Sequence, residues 1–281
     1  MAVPTTRIHL RPLRPQDLPL HPEMASKQNP ATSPDLQRFV SEVLDEGQRF
    51  MTTTLEDENI FKSKGTRKDK PATAPIRIRA AVLTPEHSDF EYPTENWFAR
   101  TSEHENRNAD GTAPWHEFDQ SLRIHHSDHE KIYTPSVQAA EELFSWQEQL
   151  DAFASRVGPW QEITMEIRSM EHKIPPPLQR RVFRVLVITA SRGEAGSALI
   201  VVQIPVEGNP IESRDGVVYG IYCSVETARL ENGRTIWSMA TASDAKGWMP
   251  MWLQKTQMPK AVAVDVGYFI KWRMEVRQST A

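Results

Sequence analysis

The stretch RVFRVLVITASRGEAGSALIVVQIP, residues 181–205, contains two apolar segments on either side of a glycine-containing turn. Phe183, Val185 and Val187 recur at every second position, which is the period of a β-strand. Residues 198–204 form the second apolar run. The stretch therefore predicts two neighbouring antiparallel strands with a short connection.

Similar strand periodicity extends in both directions from this pair. Further strands are predicted around residues 76–79, 97–100, 163–168, 217–225 and 235–243. After residue 247 the period becomes helical, because Val262, Val266, Phe269 and Ile270 share one face of a helix that reaches about Val276.

Before and between the strands, the pattern indicates shorter helices and loops. Ser33 is positioned to cap an amphipathic helix whose first residue is Pro34. Short helices are predicted between Thr112 and Ile124 and around residues 144–150. Residues 62–75 have the composition of a lysine-rich loop.

This order of elements predicts an α+β fold of helix-grip type, in which a curved antiparallel sheet wraps a long C-terminal helix. Sheet and helix cannot pack flush along their whole length, so the architecture leaves an internal hydrophobic cavity. Residues 1–32 are proline-rich without regular period and are predicted to form an extended arm. Residues 33–281 form the predicted ligand-binding domain.

Composition narrows the class of protein. Of the 281 residues, 39% are hydrophobic and 25% are charged, which is a globular balance. The net charge of −4 argues against nucleic acid as a partner. The single cysteine, Cys223, cannot form an internal disulfide, and neither a signal peptide nor a membrane-length apolar run is present, so we predict a cytoplasmic protein.

Nine short motifs resemble the fungal DUF3074 family, a START-like group. In the N-terminal half they are WFARTSEH (97–104), WHEF (115–118), HSDHE (126–130) and YTP (133–135). In the C-terminal half they are HKIPPPL (172–178), RVF (181–183), VVQIP (201–205), MATASD (239–244) and PMWLQ (250–254). The resemblance spans roughly Glu95 to Trp272 and implies a START-like fold, a deep hydrophobic pocket and a fungal source. Some fungal proteins with such pockets fold reactive polyketide or terpenoid intermediates.

Polar residues within the predicted strands and nearby segments are the candidates for a site. Arg100, His104, Glu130 and Tyr133 would be the catalytic cluster of an enzyme, although a structural ion-pair network explains them more simply. Six other residues are candidates for binding a ligand: Glu166, His172, Gln203, Tyr222, Trp237 and Trp248.

Metal and cofactor chemistry receive less support. His125 and His129 could face one ion from a helix, but Tyr133-Thr134-Pro135 favours an extended segment that would scatter the imidazoles, and we expect no metal. The sequence contains no nucleophile elbow, Walker loop or dinucleotide glycine fingerprint, and no cofactor is expected.

Two functions remain open. One is a protein that binds a bulky hydrophobic small molecule, either a lipid or a specialised metabolite. The alternative is a cofactor-independent cyclase or isomerase of fungal polyketide or terpenoid metabolism. Binding requires only the cavity, and we favour it. The basic residues between Lys62 and Lys70 could also contact an anionic membrane surface transiently, although a solvated loop is the simpler interpretation.

Overall fold

The computed structural model describes residues 6–84, 94–174, 179–193, 196–208, 216–244 and 251–280. Within these ranges nine strands form one sheet, in the order β1-β2-β3-β9-β8-β7-β6-β5-β4. The strands are β1 (Lys62–Arg67), β2 (Ile76–Leu83), β3 (Glu95–Glu105), β4 (Val137–Ser145), β5 (Trp160–His172), β6 (Arg180–Arg192), β7 (Ala198–Pro205), β8 (Val217–Glu231) and β9 (Arg234–Asp244). The helices are α1 (Leu36–Arg49), α2 (Trp115–Leu122), α3 (His126–Tyr133), α4 (Gln147–Asp151) and α5 (Met251–Thr280).

Neighbouring strands in this order all pair in antiparallel fashion. The early strand β3 pairs with the last strand, β9, so the two halves of the chain meet in the middle of the sheet. Where β7 ends, β6 and β8 pair directly and in parallel over Arg180–Phe183 and Val217–Gly220. The predicted meander thus closes into one continuous curved sheet.

Each face of the sheet packs against a different set of elements. On β3, Trp97 and Ala99 belong to a core shared with α1 and the N-terminal segment. The intervening Phe98 belongs to a second core shared with α2 and α5. Because successive side chains of a strand point to opposite faces, this alternation assigns α5 and its surroundings to one side of the sheet.

The predicted N-terminal arm is not extended throughout, because it contains two short 3-10 helices, Pro15–Asp17 and Pro22–Lys27, and it packs against the rest of the fold. Ile8, Leu10 and Leu13 are buried in the core on the α1 side. The Leu13 backbone donates to the Pro205 carbonyl oxygen at 2.8 Å, next to the end of β7. The predicted start of α1 was two residues early, because Asp35 rather than Ser33 is the N-cap and accepts a hydrogen bond from the Arg38 backbone.

Three other local predictions were wrong. Part of the predicted lysine-rich loop is strand β1, an edge strand with every side chain exposed, which the backbone pairing with β2 holds in place. Residues 144 and 145 end strand β4 instead of lying in a helix. The segment predicted to be extended is helix α3, which ends one residue before Thr134, in keeping with the restriction that Pro135 places on the preceding residue.

Helix α5 packs across β2 and β3 and is anchored at its C-terminal end. Arg273 Nε lies 3.1 Å from Glu117 Oε2, and the Arg277 guanidinium donates to the Thr112 carbonyl oxygen at 2.9 Å. These contacts tie the end of α5 to α2 and its preceding loop. In the part of the chain that the structure describes, no helix combines the length and apolar character needed to cross a membrane.

Candidate ligand-binding site

A cavity of about 340 Å³ lies between the sheet, α3 and α5. This volume is at the lower end of the range of small-molecule sites, about 300–1,000 Å³. Most of its surface is apolar, and the apolar wall includes Ile174, Phe183, Met239, Met258, Ala261 and Val262. The cavity therefore occupies the gap that the helix-grip architecture was expected to leave.

A buried ion pair forms part of the cavity wall on the sheet side. Arg100 on β3 and Glu226 on β8 are both paired with Met239 of the intervening strand β9, so their side chains meet across that strand. Arg100 Nη2 lies 3.0 Å from Glu226 Oε1, which also accepts from Trp237 Nε1 at 2.8 Å. The guanidinium carbon stacks 3.9 Å from the centroid of the Trp237 ring.

The same arginine keeps two unused donors. Arg100 is only 2% exposed, and neither its Nε nor its Nη1 has a hydrogen-bond partner among the described residues. Buried donors of this kind are rare, because an unpaired group costs about 1–3 kcal/mol. A ligand oxygen would satisfy them.

Helix α3 contributes a carboxyl and a phenol. Glu130 Oε2 accepts no hydrogen bond from the described part of the chain, and the nearest cationic candidate, His126 Nε2, is 3.8 Å away. Burial raises the pKa of Glu130, and the neighbouring Glu226 carboxylate adds to the increase. Burial likewise raises the pKa of Tyr133 well above its ordinary value.

Asp265 brings a second carboxyl from α5. Its side chain lines the cavity, and burial raises its pKa to about 7, an increase that Arg100 opposes and that Glu130 and Glu226 reinforce. The cavity therefore contains a carboxyl that can gain or lose a proton near neutral pH.

Additional polar groups lie along β5, β7 and β8. Ser224 Oγ donates to Gln203 Oε1 at 2.6 Å, while Gln203 Nε2 has no partner among the described residues. The His172 ring packs edge-on against Phe183 at 5.3 Å, and Phe183 packs against Tyr222 at the same distance. Burial lowers the pKa of His172 to about 4, so this imidazole is neutral at pH 7.

The structure brings together most of the candidates that the sequence suggested. Six of them line the cavity: Arg100, Glu130, Tyr133, His172, Gln203 and Tyr222. The Trp237 ring stacks against the Arg100 guanidinium and is not itself among the residues that line the cavity. Trp248 lies outside the described residues. The functional roles of these residues remain predictions.

Two candidates lie away from the cavity. His104 Nε2 is 2.8 Å from Ser102 Oγ, and burial among aromatic rings lowers the pKa of His104 to about 3, which suits a neutral core residue. Glu166 lies 2.8 Å from Arg168, which also pairs with Asp128 of α3. Both positions therefore fit the structural ion-pair or core interpretation rather than a ligand contact.

The sequence analysis missed two carboxyls that the cavity contains, Glu226 and Asp265. Each carried a signal that could have been used. Glu226 follows Tyr222 and Ser224 at strand period, and Asp265 interrupts the apolar face formed by Val262 and Val266.

The histidines near α3 were weighed as metal ligands, and in the described ranges no three or more potential ligands are grouped around one point. His125 precedes α3 with a positive φ of 49°, and its ring centroid is 6.4 Å from that of His129. His125 therefore lies outside the helix, although its ring makes an edge-on contact with that of His129.

The sheet wrapped around α5, with a cavity between them, defines a START-like helix-grip domain. A family model described as "Protein of unknown function (DUF3074)" matches residues 97–273, and the chain belongs to this family. These findings confirm the resemblance and the fold predicted from the sequence.

Two solved structures of human proteins are similar to this chain in fold. The crystal structure of human STARD10 is 12% identical with a TM-score of 0.58, covering 83% of this chain and 82% of that chain. Human StAR-related lipid transfer protein 5 is 12% identical with a TM-score of 0.57, covering 85% of this chain and 100% of that chain. At this identity the similarity concerns the fold alone. No curated protein sequence matches the chain.

Proposed function

We propose that this protein binds a hydrophobic small molecule, a lipid or a specialised metabolite, in the cavity between the sheet and α5, and carries it without changing it. The observation that supports this function is a mostly apolar cavity whose wall includes buried donors of Arg100 and Gln203 that have no partner among the described residues. Since buried polar groups are normally hydrogen-bonded, these donors favour a bound molecule with an oxygen at its polar end.

Energetics favour a ligand whose affinity comes from its apolar part. Each buried methylene contributes about 0.8 kcal/mol, so a ten-carbon chain gains roughly 8 kcal/mol before the costs of association. The polar groups would then select among ligands of similar apolar size. The lipid-transfer function in the name of one similar structure is compatible with this division of roles.

The proposal can be tested with the protein purified from its own host. Native mass spectrometry followed by denaturing extraction should recover a small molecule in stoichiometric amount. A Val262→Phe variant, which adds bulk at a buried position that lines the cavity, should lose that molecule. A Lys260→Phe variant adds the same bulk on the exposed face of α5 and should retain it.

Two results would contradict the proposal. One is a protein that carries nothing and takes up no apolar dye. The other is equal retention of the molecule by both phenylalanine variants, which would place binding elsewhere.

A second candidate, the cofactor-independent enzyme of secondary metabolism, is favoured by one specific observation. The pKa of Asp265 is raised to about 7, and a carboxyl poised near neutral pH in an apolar cavity suits a general acid or base. Extraction from wild type and from an Asp265→Asn variant in the same host discriminates between the functions. A carrier yields the same molecule from both, whereas an enzyme yields product from wild type and unreacted substrate from the variant.

A further inference from the structure

We propose that the ligand carries a protonated amine with a neighbouring hydroxyl at its polar end, so that the cavity selects an amino alcohol with an apolar body. This inference rests on the proposed binding function. It concerns four ionisable residues that line the cavity and whose charges influence one another, Arg100, Glu130, Glu226 and Asp265.

The first argument is the balance of charge. Three carboxyls line the cavity, whereas Arg100 is the single lysine or arginine among its described lining residues. Arg100 is already paired with Glu226 at 3.0 Å and stacked on Trp237. Glu226 is therefore its direct partner, and beyond ion-pair distance the Arg100 charge only partly offsets the rise in the pKa of Asp265.

That pairing leaves two carboxyls without a cationic partner. Neither Glu130 nor Asp265 has a lysine or arginine within ion-pair distance in the described part of the chain, although His126 is 3.8 Å from Glu130. Glu130 and Asp265 are half-buried, and carboxylates withdrawn from water are costly unless they are paired, so these groups favour protonation while the cavity lacks a cation. A protonated amine would stabilise the ionised form of these carboxyls, whereas an anionic head would gain no such pairing and would make their ionisation more costly.

Aromatic side chains reinforce this preference. Tyr133 and Tyr222 line the cavity together with the two carboxyls, and Phe183 packs against Tyr222. A cation beside aromatic rings gains about 0.5–2 kcal/mol, most where water is excluded. Carboxyls and rings together thus form a site suited to an ammonium group.

A second, independent observation is the reason for proposing a hydroxyl group beside the amine. Arg100 and Gln203 are 2% and 6% exposed, and Arg100 Nε and Nη1 and Gln203 Nε2 lack partners among the described residues. These donors require an acceptor, which neither an ammonium group nor an alkyl chain can provide. A hydroxyl oxygen next to the nitrogen would accept from them without adding negative charge.

The experiment compares three probes that share one ten-carbon chain and differ only in the charge of the head: an amino alcohol, a diol and a hydroxy acid. Each probe is used below its own critical micelle concentration. The assay measures how well the probe displaces the neutral dye Nile red from the purified full-length protein at pH 7.4. We expect the amino alcohol to bind about tenfold more tightly than the diol, and the hydroxy acid to bind most weakly.

Variants then test which side chains produce the preference. In the double variant Glu130→Gln and Asp265→Asn, the ratio of amino alcohol to diol affinity should fall to about twofold. The control Glu275→Gln removes an exposed carboxyl from α5, the helix that contains Asp265, and should keep the wild-type ratio of affinities.

The outcomes separate this inference from the function on which it rests. Diol or hydroxy acid binding as tight as the amino alcohol would overturn the amine assignment while leaving the carrier function intact. An unchanged ratio in the double variant would also overturn it. If neither the dye nor any probe binds, both the inference and the proposed function fail.

Discussion

At the scale of single residues, the cavity places ionisable groups where their charge is costly. Asp265 is the clearest case, because burial holds its pKa at about 7 while other carboxyls lie close to it. A group of this kind lowers the stability of the folded protein when it is ionised. Neutral substitutions at these positions should therefore affect stability in a pH-dependent way.

We expect Asp265→Asn to stabilise the protein more at pH 8 than at pH 5. The pKa of Asp265 is about 7 in the folded protein and about 3.9 in an unfolded chain, so the folded state binds more protons between these values. The contribution of Asp265 to stability is therefore present at low pH and is lost as pH rises through 7. Differential scanning fluorimetry should show a midpoint about 2 °C or more above wild type at pH 8.

The exposed control Glu275→Gln should show no such pH-dependent gain. A midpoint for Asp265→Asn that shifts equally at both pH values would indicate that Asp265 does not titrate between them.

The Arg100–Glu226 pair gives a second prediction at this scale. Arg100→Met leaves the Glu226 carboxylate buried without its cation and should cost about 3–5 kcal/mol of unfolding free energy. Adding Glu226→Gln removes the uncompensated charge while keeping an oxygen acceptor for Trp237 Nε1. The double variant should recover most of the loss in urea denaturation. Additive costs of the two substitutions would show that the residues do not interact as a pair.

At the scale of elements, the position of α5 depends on specific contacts as well as on the burial of its apolar face. Its C-terminal end is tied to Glu117 and Thr112, and its middle approaches the loop after β1 very closely at Gly267. A Cβ at Gly267 would overlap the Asp69 carboxylate and lie 3.0 Å from the Lys70 carbonyl oxygen. The glycine therefore allows close packing within a helix.

Gly267→Ala should destabilise the protein by about 1–3 kcal/mol, because overpacking outweighs the roughly 1 kcal/mol that alanine gains in helix propensity. Asp69→Ala in the same chain should recover part of this loss, since it removes the overlapping carboxylate. Thermal unfolding of both variants and of Asp69→Ala alone checks the prediction. A more stable Gly267→Ala would mean that the loop moves away at little cost.

At the scale of the whole molecule, the N-terminal segment covers one face of the sheet while the cavity occupies the other. Glu46 accepts from the backbone nitrogens of Arg7 and Ile8, and Glu95 accepts from that of Leu10. Leu10 is 4% exposed, whereas Leu20 in the same segment is 44% exposed. These two leucines allow a matched test of whether the segment contributes to global stability.

Leu10→Ala should lower the free energy of unfolding by about 2–5 kcal/mol, because it leaves a cavity in a packed core. Leu20→Ala should change it by no more than about 0.5 kcal/mol. Chemical denaturation followed by tryptophan fluorescence measures both. Equal, small effects would show that the segment detaches without loss of the fold, and residues 33–281 would then be the folding unit.

Much of this architecture could be predicted from the sequence, for identifiable reasons. The central strands have both faces buried, so they contain long apolar segments, and Phe183, Val185 and Val187 indicated β6 correctly. Edge strands lack this signal, because β1 exposes every side chain and depends on backbone pairing with β2. Helix α3 was missed because Pro135 was taken to affect a longer segment than the residue before it.

The sequence by itself determined the fold class, since alternating apolar residues and the apolar face of α5 can be buried in few ways. It also identified Arg100, Glu130 and Tyr133 as polar residues that require partners. Only the tertiary structure decided that Glu226 pairs with Arg100 and that Asp265 faces Glu130. The reason is that strand register and helix packing bring together residues more than a hundred positions apart, and local periodicity contains no information about those distances.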